Sequence, residues 1–362
     1  MLFRSDLDIY RIDLASGERT PVVQTPAEEL APAFADGSLY WVSLETRAEA
    51  VIVPLEGGQA RVVAENVQGP TWRPDSRVIG VTTGGWRLAD WALNLDGGVV
   101  EIDADGNPTG PVTPIITGYH EDFSPVWSPD GSWIAYHSHR SPTPVWAYAG
   151  PGSADDIFVR RPDAPTRDEI RLTDFGWEVG TPDWAPDGRR LIIDSWNRDA
   201  GPEGPRASAW IIEMDSRTGM PVGRTRIPAP ADAHGVPAWE AWSPSRDEIA
   251  ITFAGPGPNQ VELWIMEPDG GSPRRVLAYT GHPYGGVDWS ADGEAIIYSA
   301  LMDGHQQLFS VPRTGGEPRQ LTRDSANLFH PQVSPDGRWV AASRIRTVRR
   351  ILRRPVATDG DS

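Results

Sequence analysis

The chain has 362 residues with 33 arginines, no lysine, 50 acidic side chains, no cysteine and a formal net charge of -17. This excludes a thiol nucleophile, a disulfide framework, a cysteine metal site, a lysine Schiff base and a phosphate loop ending in lysine. It also speaks against a nucleic-acid partner, whose phosphates require basic surface. From the N-terminus, MLFRSDLDIYRID alternates like a strand and lacks the apolar stretch of a signal peptide. A cytoplasmic location is expected for the chain as given, or a periplasmic one if a leader has been removed. No apolar run approaches the roughly 18 residues of a membrane span, so no membrane association is expected.

Two strands, Asp8–Asp13 and Arg19–Val23, precede the first copy of a repeated element. That element is an apolar or aromatic residue, a Ser-Pro-Asp-Gly-like turn, and an alternating apolar strand. Its markers are Phe34, Trp72, Trp127, Trp184, Trp242, Trp289 and Val333, spaced by 38 to 58 residues. A four-stranded propeller blade needs roughly 40 to 50 residues. The turn chemistry suits a tight hairpin, because Pro presets φ, Asp bonds its own backbone and Gly accepts positive φ. After Trp127 the strands run Trp133–His137, Asp156–Arg160 and Glu169–Thr173; after Trp289 they run Ala295–Ser299, Gln307–Val311 and Pro318–Thr322. Each unit therefore holds four strands, A to D. After Val333 only A and B are clear, and the two N-terminal strands are expected to supply C and D. The predicted fold is all-β: a single domain over residues 1–362, a seven-bladed β-propeller of four-stranded antiparallel blades. Its ring is closed by N-terminal strands joining the C-terminal blade, so no long edge stays open.

The run Trp127-Ser-Pro-Asp-Gly, then Ile134-Ala-Tyr-His-Ser-His-Arg, then Asp156-Ile-Phe-Val resembles the TolB-like propeller repeat, which also builds the N-terminal part of prolyl-oligopeptidase-type peptidases. The resemblance covers about the whole chain and implies the fold; propellers host binding, scaffolding and catalysis alike. The domain that precedes the TolB propeller is absent from these residues, and there is no Gly-x-Ser-x-Gly elbow. Neither a Tol-system role nor serine-peptidase activity is therefore expected.

In a propeller the starts of the A strands share a face with the B–C loops, opposite the Ser-Pro-Asp-Gly turns. All seven His fall on that face by position. His120, His234, His282 and His330 precede A strands, His137 and His139 end a B strand, and His305 sits in a B–C loop. Long B–C loops add Trp86, Trp146 and Trp196, and a D–A loop adds Tyr284. Imidazole with carboxylate oxygen suits a divalent ion such as Mn, Zn or Ca, with His120, His139, Glu178, His282 and His330 as expected ligands. His234 and Glu121 are expected acid–base groups, and Arg140 and Arg198 would hold an anion or developing oxyanion. Trp86, Trp146, Trp196 and Tyr284 would bind substrate. Each of these His could equally be a loop hydrogen-bonding group, and Arg140 could simply brace its blade. Asp103-Ala-Asp105-Gly-Asn107 looks like the start of a calcium loop, but Pro114 stands where the bidentate Glu belongs, so a C–D turn is the better reading. Arg344 to Arg354 reads as a last strand with a solvated basic face.

Two functions from different classes follow. One is a metal-assisted hydrolase acting on an ester or phosphoester, such as a phosphotriester or lactone, at the His-rich mouth. The other is a noncatalytic TolB-like module binding a peptide or glycan there; a metal-dependent polysaccharide lyase is a further alternative. The expected partner is a small-molecule or oligomeric substrate, or another protein, and the chain is expected to be a monomer.

Overall fold

The computed structural model describes residues 2–5, 8–24, 28–84, 96–117, 121–140, 155–165, 168–196 and 207–355. They form seven antiparallel sheets and no α-helix, the number of sheets expected from seven repeats. The first sheet is β1 (Leu2–Ser5), β2 (Asp8–Ile12) and β3 (Arg19–Val23). Next come β4 (Glu28–Ala35), the 17-residue β5 (Ser38–Pro54) and β6 (Arg61–Glu65). Four sheets then follow in chain order. They are β7 to β10 (Val67–Trp72, Val78–Thr83, Gly97–Glu101, Thr113–Ile116) and β11 to β14 (Glu121–Trp127, Ile134–His139, Asp155–Arg160, Ile170–Arg171). The third is β15 to β19, in which β15 (Glu178–Val179) and β16 (Asp183–Trp184) together make the inner strand beside β17 (Arg190–Trp196), β18 (Ala207–Met214) and β19 (Pro221–Ile227). The fourth is β20 to β23 (Pro237–Trp242, Ile249–Ala254, Gln260–Met266, Arg274–Thr280). Another is β24 to β27 (Val287–Trp289, Ala295–Met302, His305–Pro312, Arg319–Gln320), and the last strands among the described residues are β28 (Asn327–Val333) and β29 (Trp339–Pro355).

The inner strands β7, β11, β16, β20, β24 and β28 touch in succession around an axis, and β28 returns to β7. The marker tryptophans build the seams. Trp72, Trp127, Trp184, Trp242 and Trp289 are all buried, and each large ring removed from water contributes about 2 to 3 kcal/mol. Three also donate their indole N–H to a carbonyl of the preceding blade: Trp184 to Val126 at 3.1 Å, Trp289 to Ala241 at 3.1 Å, and Trp72 to Gln332 at 2.9 Å. The last of these crosses 260 residues and joins the two ends of the ring. The turns follow the sequence chemistry: Ser128, Ser290 and Ser334 hydroxyls each accept from the main chain five residues on.

The ring is closed by N-terminal strands, but not by the two that were expected. Strand β29 pairs with β5 from Trp339↔Pro54 to Pro355↔Ser38, and β5 pairs with β6, so the last blade reads β28-β29-β5-β6. Its seams are ordinary core: Ile52, Val63 and Ala341 pack with Trp72 and Ile79, while Val51 and Val340 pack with Ile297 and Leu308. The expected strands, β2 and β3, stay in the first sheet, whose Ile9 and Val23 pack on Leu39, Trp41 and Leu352 of the outer half of the β5–β29 pair. The physical reason lies in the first marker. Phe34-Ala-Asp-Gly is one residue shorter than Trp184-Ala-Pro-Asp-Gly. Asp36 and Gly37, at φ 50 and 70, therefore make a two-residue turn that joins β4 directly to β5. Phe34 is left 59% exposed, unlike the tryptophans that follow it.

Candidate ligand-binding site at the channel mouth

The inner strands share a local device. Three residues before the marker the pairing slips, between Gln68 and Thr71, Phe123 and Val126, and Phe329 and Gln332. The residue at the slip has a left-handed backbone: Gly69 (φ 57), Ser124 (φ 48) and His330 (φ 53). Such a bulge re-aims one side chain, and a left-handed non-glycine residue carries strain of about 1 kcal/mol or more. At His330 the position carries a full imidazole where the other two bulges carry Gly69 and Ser124. Room for it comes from Gly286, whose missing Cβ would lie 2.7 Å from His330 Cα.

Six rings from successive blades run together here. Trp196, at the end of β17, meets Tyr284 at 5.1 Å between centroids, and Tyr284 meets His282 at 5.6 Å. His282 meets Phe329 edge-on at 5.9 Å, Phe329 meets His330 at 6.0 Å, and His330 stacks on Trp239 at 4.8 Å with 9° between planes. The loop is tied by hydrogen bonds from His330 N–H to the Gly285 carbonyl (2.7 Å) and from Tyr284 N–H to His282 Nδ1 (3.2 Å). Burial, and then the neighbouring His282, pushes the His330 imidazole down to about 4, against a hydrogen bond with the Tyr284 main chain. Burial also lowers His282. Both rings are therefore neutral at pH 7 and behave as polar aromatic surfaces.

Beneath this wall lie carboxylates. Asp183 accepts from Trp242 N–H at 2.6 Å, and Asp288 from Val333 N–H at 2.6 Å and Trp289 N–H at 2.7 Å, so both tie one inner strand to the next. Burial raises Asp183 and Asp194 to about 6; for Asp194 the charge of Glu178 adds to this, and the Trp196 indole N–H opposes it. Burial and the Asp183 charge raise Asp288 to about 8. Glu240 is pushed well up by burial, Asp194 and Asp183, and its Oε1 has no hydrogen-bond partner among the described residues.

The expected site residues are distributed as follows. His282, His330, Trp196 and Tyr284 come together, and Glu178 stands directly across the sheet from Trp196. His139 is buried against Asp155 (Nδ1 to Oδ1, 2.6 Å) on the β11–β14 blade. On the same blade Arg140 pairs with Glu169 and lies 3.6 Å over the Phe158 ring, which braces the blade. His234 meets Glu262 of β22 at 3.0 Å rather than the His282–His330 pair. Trp86, His120, Trp146, Arg198 and the Glu121 side chain lie outside the described residues. Among the described residues, which leave out His120, no group of three or more His, Asp or Glu is arranged to hold a metal ion. Asp103 accepts from Asp105 and Asn107 N–H groups (2.9 and 2.8 Å), as a C–D turn requires. Sequence reasoning missed Trp239, Phe329 and the buried acids. Trp239 and His330 both stand three residues before a marker, and Asp183 and Asp288 one residue before, so the repeat itself held the signal.

No family model matches the chain. It is similar to the uncharacterized peptidase YuxL of Bacillus subtilis, 27% identical over 236 residues, which are 63% of this chain and 30% of YuxL. The chain thus spans under a third of that relative. Among solved structures it is similar to TolB from Acinetobacter baumannii (TM-score 0.55, 16% identity, 81% of this chain and 66% of that one). It is also similar to an oligogalacturonate lyase from Vibrio parahaemolyticus (TM-score 0.52, 12% identity, 92% and 96%). These likenesses show the TolB-like propeller fold, which proteins of mixed functions share.

Proposed function

We propose that the chain is a binding module whose channel mouth takes a neutral or cationic peptide segment of another protein. The reading rests on the unbroken line of six rings from Trp196 to Trp239. Such a line offers flat stacking surfaces, worth about 0.5 to 1.5 kcal/mol per aromatic pair beyond area burial. Neutral imidazoles at its centre supply hydrogen bonds without charge. Asp183 and Asp194, the latter bonded to the Trp196 indole, are ionised at pH 7 while burial keeps Asp288 protonated; the two charges disfavour anions, including a polyanionic glycan, and favour a basic side chain over the rings. Metal-assisted hydrolysis has less support, because among the described residues no group of three or more His, Asp or Glu is arranged to hold a metal ion.

The test is fluorescence anisotropy with a labelled Arg-Pro-Trp-Pro-Arg amide, its Glu-for-Arg counterpart, and a neutral glucan hexamer. The basic peptide should bind, and Tyr284→Ala together with His330→Gly should weaken it by about tenfold. Stronger binding of the acidic peptide or the glucan, or no effect of the substitutions, would overturn the reading. Turnover of a nitrophenyl ester or phosphotriester that depends on added Mn or Zn would restore the hydrolase.

A further inference from the structure

Strand β29 is paired on both sides only as far as Ile345, the last residue opposite β28. Residues 346–355 pair with β5 alone among the described residues, so ten residues of main chain present an open edge. Within them stand Arg346, Arg349, Arg350, Arg353 and Arg354 and no acidic residue. Val348 and Ile351 are 37% and 79% exposed. The β1–β3 sheet covers one face through Leu352, and Ile351 lies on the other. The open edge begins at a cleft of about 780 Å³ between the last two blades, lined in part by Gly57, Leu321, Arg323, Ser325, Arg344 and Arg346. Arg344 is held there by Glu49 at 2.6 Å and Asp324 at 3.5 Å, whereas Arg323 is exposed.

We propose that this edge is a docking site for an extended acidic peptide of a partner protein, which adds a strand to residues 346–355 and places one end in the cleft. An open edge supplies main-chain hydrogen bonds, and alternate side chains supply selectivity. Charge decides the occupant. A second copy would set these arginines against its own, and like charges across a strand pair destabilise it. A nucleic acid would meet the field of a chain carrying -17 overall. A short peptide with alternating Glu and β-branched residues sets its Glu side chains on the face of Arg346, Arg350 and Arg354 and its β-branched side chains on the face of Ile351, while bringing little charge elsewhere.

The probe is fluorescein-labelled Glu-Val-Glu-Ile-Thr-Val-Glu added to the whole chain. Binding should weaken about tenfold in Arg346→Glu/Arg349→Glu, a change on exposed side chains that leaves the mouth untouched. Amide hydrogen exchange within 346–355 should slow when the peptide is present, which reports strand addition even if the variant folds poorly. N-methylation of alternate peptide residues should abolish both effects. The proposal is overturned if the N-methylated peptide binds as well, or if exchange in 346–355 is unchanged. Tighter binding of a 20-nucleotide single strand, or a dimer of the free protein that the double substitution dissociates, would also overturn it.

Discussion

His330 carries the most information at the residue scale. Its left-handed backbone favours glycine, while its ring is the centre of the aromatic line. His330→Gly should therefore keep the fold, as judged by circular dichroism, and lose affinity at the mouth; His330→Ala should keep the strain and lose the ring, and so be the less stable of the two. Asp194 sets a pH dependence. Its carboxyl titrates near 6 in the fold, above the usual carboxylate range. The native state therefore binds its proton more tightly than the unfolded chain does, and its contribution is full below about pH 4 and lost as pH rises through 6. Asp194→Asn, which keeps an acceptor for the Trp196 indole, should flatten that part of a melting-temperature profile between pH 4.5 and 7. An unchanged profile would remove Asp194 from the account. Asp288 acts in the same direction at higher pH, so wild-type stability should still be falling between pH 7 and 9, and Asp288→Asn should lessen the fall.

At the scale of elements, the bulged inner strands and the long β5–β29 pair do most of the positioning. Trp72 joins β7 to β28, so Trp72→Phe should retain most of the packing but lose the hydrogen bond to the Gln332 carbonyl. A loss of about 1 kcal/mol is expected, more if the carbonyl stays dry. Chemical denaturation compared with Trp184→Phe, which breaks a seam between consecutive blades, would show whether the closing seam is the weaker one. Much at this scale was legible: the four-strand grammar, the turn residues and the buried markers follow from local chemistry that repeats. The first unit was misread because Phe34-Ala-Asp-Gly resembles its fellows, although the missing Pro position makes it a tight hairpin. At the mouth, Trp196, Tyr284, His282 and His330 were legible as loop and pre-marker residues. Their separation from His139 and His234 was not, since Asp155 and Glu262, the carboxylates that engage those two, lie on other strands of their own blades.

Across the whole molecule the decisive fact is which strands close the ring. The last blade takes β5 and β6 at its outer side, so removal of residues 1–23 should leave the propeller folded and remove only the cover over Leu39 and Trp41. Removal of residues 1–65 should abolish cooperative unfolding, because β28 and β29 would lose two of their four strands. If both truncations unfold alike in a thermal melt, the first sheet is part of the ring's own stability and β5 and β6 do not close the ring alone. The sequence by itself determined an all-β chain, its repeat, the turn at each blade and the chemistry left by the absence of cysteine and lysine. These are matters of local pattern, readable within 10 to 20 residues. The tertiary structure alone decided the closing strands, the free edge of β29 and the gathering of six rings. Those depend on pairings across hundreds of residues, where several alternating strands compete on nearly equal local terms and packing selects among them.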